Sequence, residues 1–133
     1  MKTFDVQSIE INAPCQKTFD FLKDAANLPK WAHAFKEVAG DRALMQTPQG
    51  SVEVGLQVNA SQEHGTVDWL MTFPDGKVAT AYSRVVGAGE DKSLYFFVLT
   101  APPVPLEQLE GALEQQSRTL REELAKLKSV LSV

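Results

Sequence analysis

Few side chains in this sequence are suited to chemistry, and Arg84 is the foremost of them. Residues 65–73 alternate, with Val67, Trp69, Met71 and Phe73 on one face. Pro74-Asp75-Gly76-Lys77 then carries the chemistry of a tight turn. Read as the whole turn, it sets Phe73 opposite Val78 and sends Val78, Thr80, Tyr82, Arg84 and Val86 inward. An inward guanidinium has to be paired, because an unpaired buried charge is very costly. A ligand carboxylate would serve, and so would Asp68, Glu53 or a glutamate of the last segment; an internal ion pair and a ligand contact both stay open. Tyr82 could donate to a ligand oxygen or be satisfied within the core. His33 could act as an acid or base near neutral pH, although the sequence shows no partner to orient it.

Other chemistries find no support. His33 and His64 lie in different segments and Cys15 is single, so no metal-ligand spacing exists and no internal disulfide can form. Cys15 reads as a small residue packed near a helix start. No Gly-x-Ser-x-Gly elbow and no glycine-rich phosphate loop occurs. The glutamates after residue 105 read mostly as a solvated helix face. No cofactor is implied.

The remaining candidates are large apolar side chains. The stretch "ANLPKWAHAF" (Ala26 to Phe35) spaces Leu28, Trp31 and Phe35 by three and four residues. That places them on one side of a short helix with Pro29 in its first turn. Trp69 shares a strand face with Met71, as core or as a binding wall. Phe97 lies in "SLYFFVLTA" (residues 93–101), apolar on both faces, which implies cover from both sides or a homodimer contact.

The elements that must position these groups follow from periodicity. Residues 3–12 read as a strand; a bulge near Gln7-Ser8 would bring Phe4 and Val6 onto the face of Ile9 and Ile11, and a twisted edge would serve too. Residues 15–25 read as a helix, with Cys15, Thr18, Phe19 and Leu22 along one stripe. Strands are expected over 37–46, 51–59, 65–73, 78–87 and 93–101. A long helix over 105–131 carries a leucine stripe broken at Gln116-Ser117, either a polar edge on a wet cavity or a local rotation of the stripe. Strands joined by hairpins, with helices on one face, make an α+β domain of about six strands. Its simplest assembly is a curved antiparallel sheet wrapped around the last helix.

The chain has 133 residues, of which 44% are apolar, and carries a net charge of -4. One domain spanning 1–133 is expected. Without a basic cluster there is no nucleic-acid footprint and no basic membrane-surface patch. No run of about 18 apolar residues occurs, so no integral membrane segment is expected. Asp5 and Glu10 interrupt any leader core, and the expected location is the cytoplasm.

Several strings resemble the helix-grip superfamily of START lipid-transfer domains and birch-pollen allergens, most closely its small bacterial polyketide cyclase/dehydrase and lipid transport group. They are "IEINAP" (Ile9 to Pro14), "TFDFLKDAANLPKW" (Thr18 to Trp31), the "PDG" hairpin with "SRVV" (Ser83 to Val86), and the terminal helix. The likeness covers nearly the whole chain. It implies a cavity between sheet and long helix that holds an apolar or aromatic small molecule or a lipid. Many members have seven strands, and a chain this short implies a smaller cavity than theirs. The expected ligand-binding residues are Trp31, Phe35, Trp69, Tyr82, Arg84 and Phe97. Because the fold hosts several functions, a polyketide cyclase/dehydratase-like enzyme and a homodimeric interaction protein stand as alternatives to a carrier.

Overall fold

A computed structural model describes residues 3–47, 50–100 and 106–132, with the side chains of 47 and 106–112 outside that description. The order is β1 (Phe4–Ile11), α1 (Cys15–Lys23), a short 3-10 helix (Ala25–Lys30), β2 (Phe35–Ala39), β3 (Arg42–Thr47), β4 (Gly50–Ser61), β5 (Thr66–Thr72), β6 (Val78–Gly87), β7 (Ser93–Thr100) and α2 (Leu106–Leu131). The strands form one curved, open antiparallel sheet in the order β1-β7-β6-β5-β4-β3-β2. This is the expected α+β helix-grip architecture.

Seven strands replace the expected six. The segment 37–46 is two strands, because Gly40-Asp41 turns the chain between Ala39 and its partner Arg42. Gly40 has φ 61° and is the first central residue of that two-residue hairpin, where a positive φ suits glycine.

β1 needs no bulge. Its ladder with β7 is unbroken from Phe4 opposite Thr100 to Ile11 opposite Ser93. Phe4 and Val6 are accordingly exposed on the outer face, while Ile11 is fully buried. Their inward neighbour Gln7 donates through Nε2 to Asp5 Oδ2 and to the Ser117 carbonyl of α2, both at 2.8 Å.

The turn between β5 and β6 corrects the expected register. Phe73 N donates to the Lys77 carbonyl and Gly76 N to the Phe73 carbonyl, each at 2.9 Å. Phe73 therefore faces Lys77 rather than Val78, and Gly76 takes up the left-handed conformation at φ 86°. Thr72 pairs with Val78, Met71 with Ala79 and Trp69 with Ala81. A slip of one position sends every β6 side chain to the opposite face. Val85 and Ser83 point to the core; Tyr82 and Arg84 do not.

The stretch after α1 also differs from expectation. Asp24 ends α1 and caps the 3-10 helix, its Oδ1 accepting from Ala26 N at 3.1 Å. That helix stops at Lys30, Trp31 is its C-cap, and Phe35 opens β2. Leu28 and Trp31 are buried, but the stripe they were expected to share with Phe35 bends out of the helix into a strand.

The core joins Ile11, Phe19 and Leu22 to Leu120, Leu124, Leu127 and Leu131 of α2. The buried hydroxyls of Thr18 and Ser93 hydrogen-bond at 2.8 Å, tying α1 to β7. Among the described residues, no helix is long and apolar enough to cross a membrane.

Candidate functional site

Between the inner face of the sheet and the middle of α2, from Gln115 to Glu123, lies a cavity of about 1040 Å³. That is at the upper end of small-molecule pockets, roughly 300–1,000 Å³.

Sequence explains why this space is empty of side chains. On β6 the residues turned inward opposite Met71 and Trp69 are Ala79 and Ala81. Two methyl groups cover little of the distance to the helix. The walls are apolar: Leu28, Trp31, Phe35, Met71, Phe97 and Leu120. The rim is polar, with exposed Gln46, Asp75, Lys77, Gln115 and Gln116. Lys77 Nζ stands 3.8 Å from Asp75 Oδ2 across the β5–β6 turn.

An aromatic cluster makes the floor. Trp31 and Trp69 have ring centroids 6.1 Å apart and tilted, and Trp69 stacks on Phe97 at 6.1 Å. Tyr95 meets Trp31 and Phe97 edge-on at 6.4 and 6.3 Å. Such pairs hold large apolar faces in defined orientations, each worth about 0.5–1.5 kcal/mol beyond area burial. Trp69 Nε1 and the Tyr95 hydroxyl are sealed from solvent and have no hydrogen-bond partner among the described residues. Burial raises the Tyr95 hydroxyl's pKa. Ser83 beside it opposes that shift, but the Ser83 hydroxyl donates to the Val67 carbonyl.

Four of the expected ligand-binding residues, Trp31, Phe35, Trp69 and Phe97, line the cavity. Tyr82 and Arg84 are not among its lining residues. Tyr82 is 46% exposed on the outer face. Arg84 is exposed as well, and its Nε donates to the His64 carbonyl at 3.0 Å. Two of the partners foreseen for an inward arginine are engaged elsewhere: Glu53 pairs with Arg42 at 2.9 Å, and Asp68 accepts from Ser83 N at 3.3 Å. The register of the β5–β6 turn is the physical reason for both corrections.

His33 lines the cavity from an exposed position. Gln116 faces it, as one reading of the broken leucine stripe expected, whereas Ser117 turns its carbonyl to β1.

Glu123 was missed among the glutamates assigned to solvent. It lies on the cavity wall, and its carboxyl pKa is pushed up from 4.5 to about 7. Loss of hydration is the largest cause, and nearby Glu122 adds to it. The backbone N–H groups of His33 and Ala34 lie against the carboxyl and pull the other way. A signal for it existed in the spacing. Leu113, Gln116, Leu120, Glu123 and Leu127 follow one another by three and four residues. Glu123 thus stands on the apolar stripe, not opposite it.

The arrangement can enclose an apolar molecule against aromatic faces and present it with one carboxyl able to hold or release a proton near neutral pH. Among the described residues, no group of three or more His, Cys, Asp or Glu side chains is placed to hold a metal ion.

No family model matches the sequence, and no curated protein matches it. Solved structures similar to it include the protein XoxI from Bacillus cereus, 14% identical, with a TM-score of 0.70 over 98% of this chain and 96% of that one. A START superfamily protein from Mycobacterium smegmatis is 13% identical, with a TM-score of 0.69 over 98% and 97% of the two chains. The Zhui aromatase/cyclase from Streptomyces sp. R1128 is 10% identical, with a TM-score of 0.68 over 96% and 90%. At these identities the likeness is one of fold, and the fold is START-like.

Proposed function

We propose that this protein binds an apolar or aromatic small molecule, or a lipid, in the cavity between sheet and α2. Trp31, Phe35, Trp69 and Phe97 would supply the contact faces. The observation that carries this reading is the cavity itself. A space of about 1040 Å³ with apolar walls and a polar rim is what a ligand site requires. START-like and aromatase/cyclase structures among the fold neighbours lend it general support. The test is native mass spectrometry of freshly purified protein, together with titration of an apolar aromatic probe read by tryptophan emission. A co-purifying apolar molecule and saturable quenching are expected. Ala79→Leu, which fills the cavity, should weaken the probe roughly tenfold, about 1.4 kcal/mol. Absence of saturable quenching in the wild type overturns the reading.

One observation favours a second reading, a polyketide cyclase/dehydratase-like enzyme. Glu123 stands on the cavity wall with a pKa near that of a working acid or base. If a bound molecule is converted by the wild type, Glu123→Gln should bind it and fail to convert it. Equal turnover by the variant removes Glu123 from the reaction.

A further inference from the structure

We infer that the cavity selects apolar molecules that carry an amine, with the ammonium group seated against the Glu123 carboxylate. This rests on the ligand-binding reading above and names the class of ligand.

The argument starts from the charges available to a guest. The lysine and the two acids on the cavity lining are Lys77, Asp75 and Glu123. Asp75 and Lys77 are exposed at the rim and compensate each other at 3.8 Å. Glu123 is set deeper, and among the described residues no lysine, arginine or histidine forms an ion pair with it. Among the described lining residues, with exposed His33 the remaining titratable group, the inner charge on offer is therefore that of Glu123, negative when ionised.

A carboxylate removed from water is costly until a cation or donors replace its hydration. The N–H groups of His33 and Ala34 replace part of it. A carboxylate can accept about four hydrogen bonds, so acceptor capacity remains for a guest. An ammonium group would use that capacity and neutralise the charge. Trp31 and Phe35 line the same cavity, and aromatic faces attract cations. Among the described residues, a guest carboxylate would meet like charge inside and, at the rim, a lysine already paired with Asp75. A fatty-acid headgroup is thus disfavoured at the same place where an amine is favoured.

The test compares three probes on the purified full chain: naphthylmethylamine, naphthylmethanol and naphthoate. They share one apolar body and differ in the end group. Titrations are read by tryptophan emission and by calorimetry near pH 8, where a carboxyl with a pKa of about 7 is mostly ionised. The amine is expected to bind about tenfold or more tighter than the alcohol, and the carboxylate weakest. Glu123→Gln should bring the amine down to the level of the alcohol. The wild-type ranking stands even if that variant fails to fold. Equal binding of the three probes, or a carboxylate preference, overturns the amine inference alone. An amine preference that survives Glu123→Gln also overturns it. Binding of none of the three overturns the cavity reading with it.

Discussion

Over 113–131, where its side chains are described, α2 divides into a first half ending at Glu123 and a second from Leu124, which carry the same leucine stripe and meet different surroundings. In the second half, Leu124, Leu127 and Leu131 pack with Ile11, Phe19 and Leu22 into closed core. That end is also pinned by polar contacts: Lys17 Nζ donates to the Leu131 carbonyl at 3.4 Å, and Asn12 N to Ser132 Oγ at 3.2 Å. In the first half, Leu120 shares its face with Gln116, Thr119 and Glu123 along the cavity. One amphipathic helix thus closes a core at its C-terminal end and roofs an empty space along its middle. The difference lies in what stands opposite. α1 covers the closed end with Phe19 and Leu22, whereas β6 offers only Ala79 and Ala81 at the open one.

The contrast is broken most severely at the closed end. Leu127→Ala removes a side chain that is 0% exposed. It should cost about 4 kcal/mol, since tightly packed surroundings relax little around the new void. Urea denaturation measures this, and a loss below about 1 kcal/mol would show that the closed end is loosely packed.

At the open end the largest effect is electrostatic. The Glu123 carboxyl is raised from 4.5 to about 7, so the folded chain keeps a proton that the unfolded chain releases between those values. Stability therefore falls as pH rises through that window, by roughly 3 kcal/mol at most, and the full penalty applies above it. Glu123→Gln should flatten the dependence. Denaturation midpoints of wild type and variant across the window compare the two slopes, and parallel slopes would refute a raised carboxyl.

Leu120→Ala should cost less than Leu127→Ala, near 2 kcal/mol, because one flank of Leu120 already borders the cavity. Equal losses at the two leucines would erase the distinction between the halves. The smallest effect is expected on the outer face. Arg84→Ala and Tyr82→Ala should change stability by no more than about 0.5 kcal/mol, and both should leave probe binding unaltered. A loss of binding on either substitution would return these residues to the site.

Much of the architecture could be read from residues alone. The alternation of β4 and β5, the helix start after Pro14 and the leucine spacing of α2 are local patterns with local causes. Trp31, Phe35, Trp69 and Phe97 were recognisable because large apolar side chains are more often inside than outside, a tendency that Phe4 and Val6 break. Gly40-Asp41 was legible too, as a glycine-led hairpin inside one apparent strand, but a single turn signal is easily absorbed into a longer alternation. Glu123 went unread because a lone carboxylate in a charged helix looks solvated until the stripe is traced through it.

The amino-acid sequence by itself determined the element types, the α+β class and the aromatic character of the interior. These depend on periodicity and on the cost of exposing apolar surface. Tertiary structure alone decided which face of β6 looks inward. Hydrogen bonding between Phe73 and Lys77 shortens the turn by one position. That exchanges Tyr82 and Arg84, which would have filled the space, for Ala79 and Ala81, which leave it open. The period of a strand is two, so one residue of register separates a filled core from a cavity.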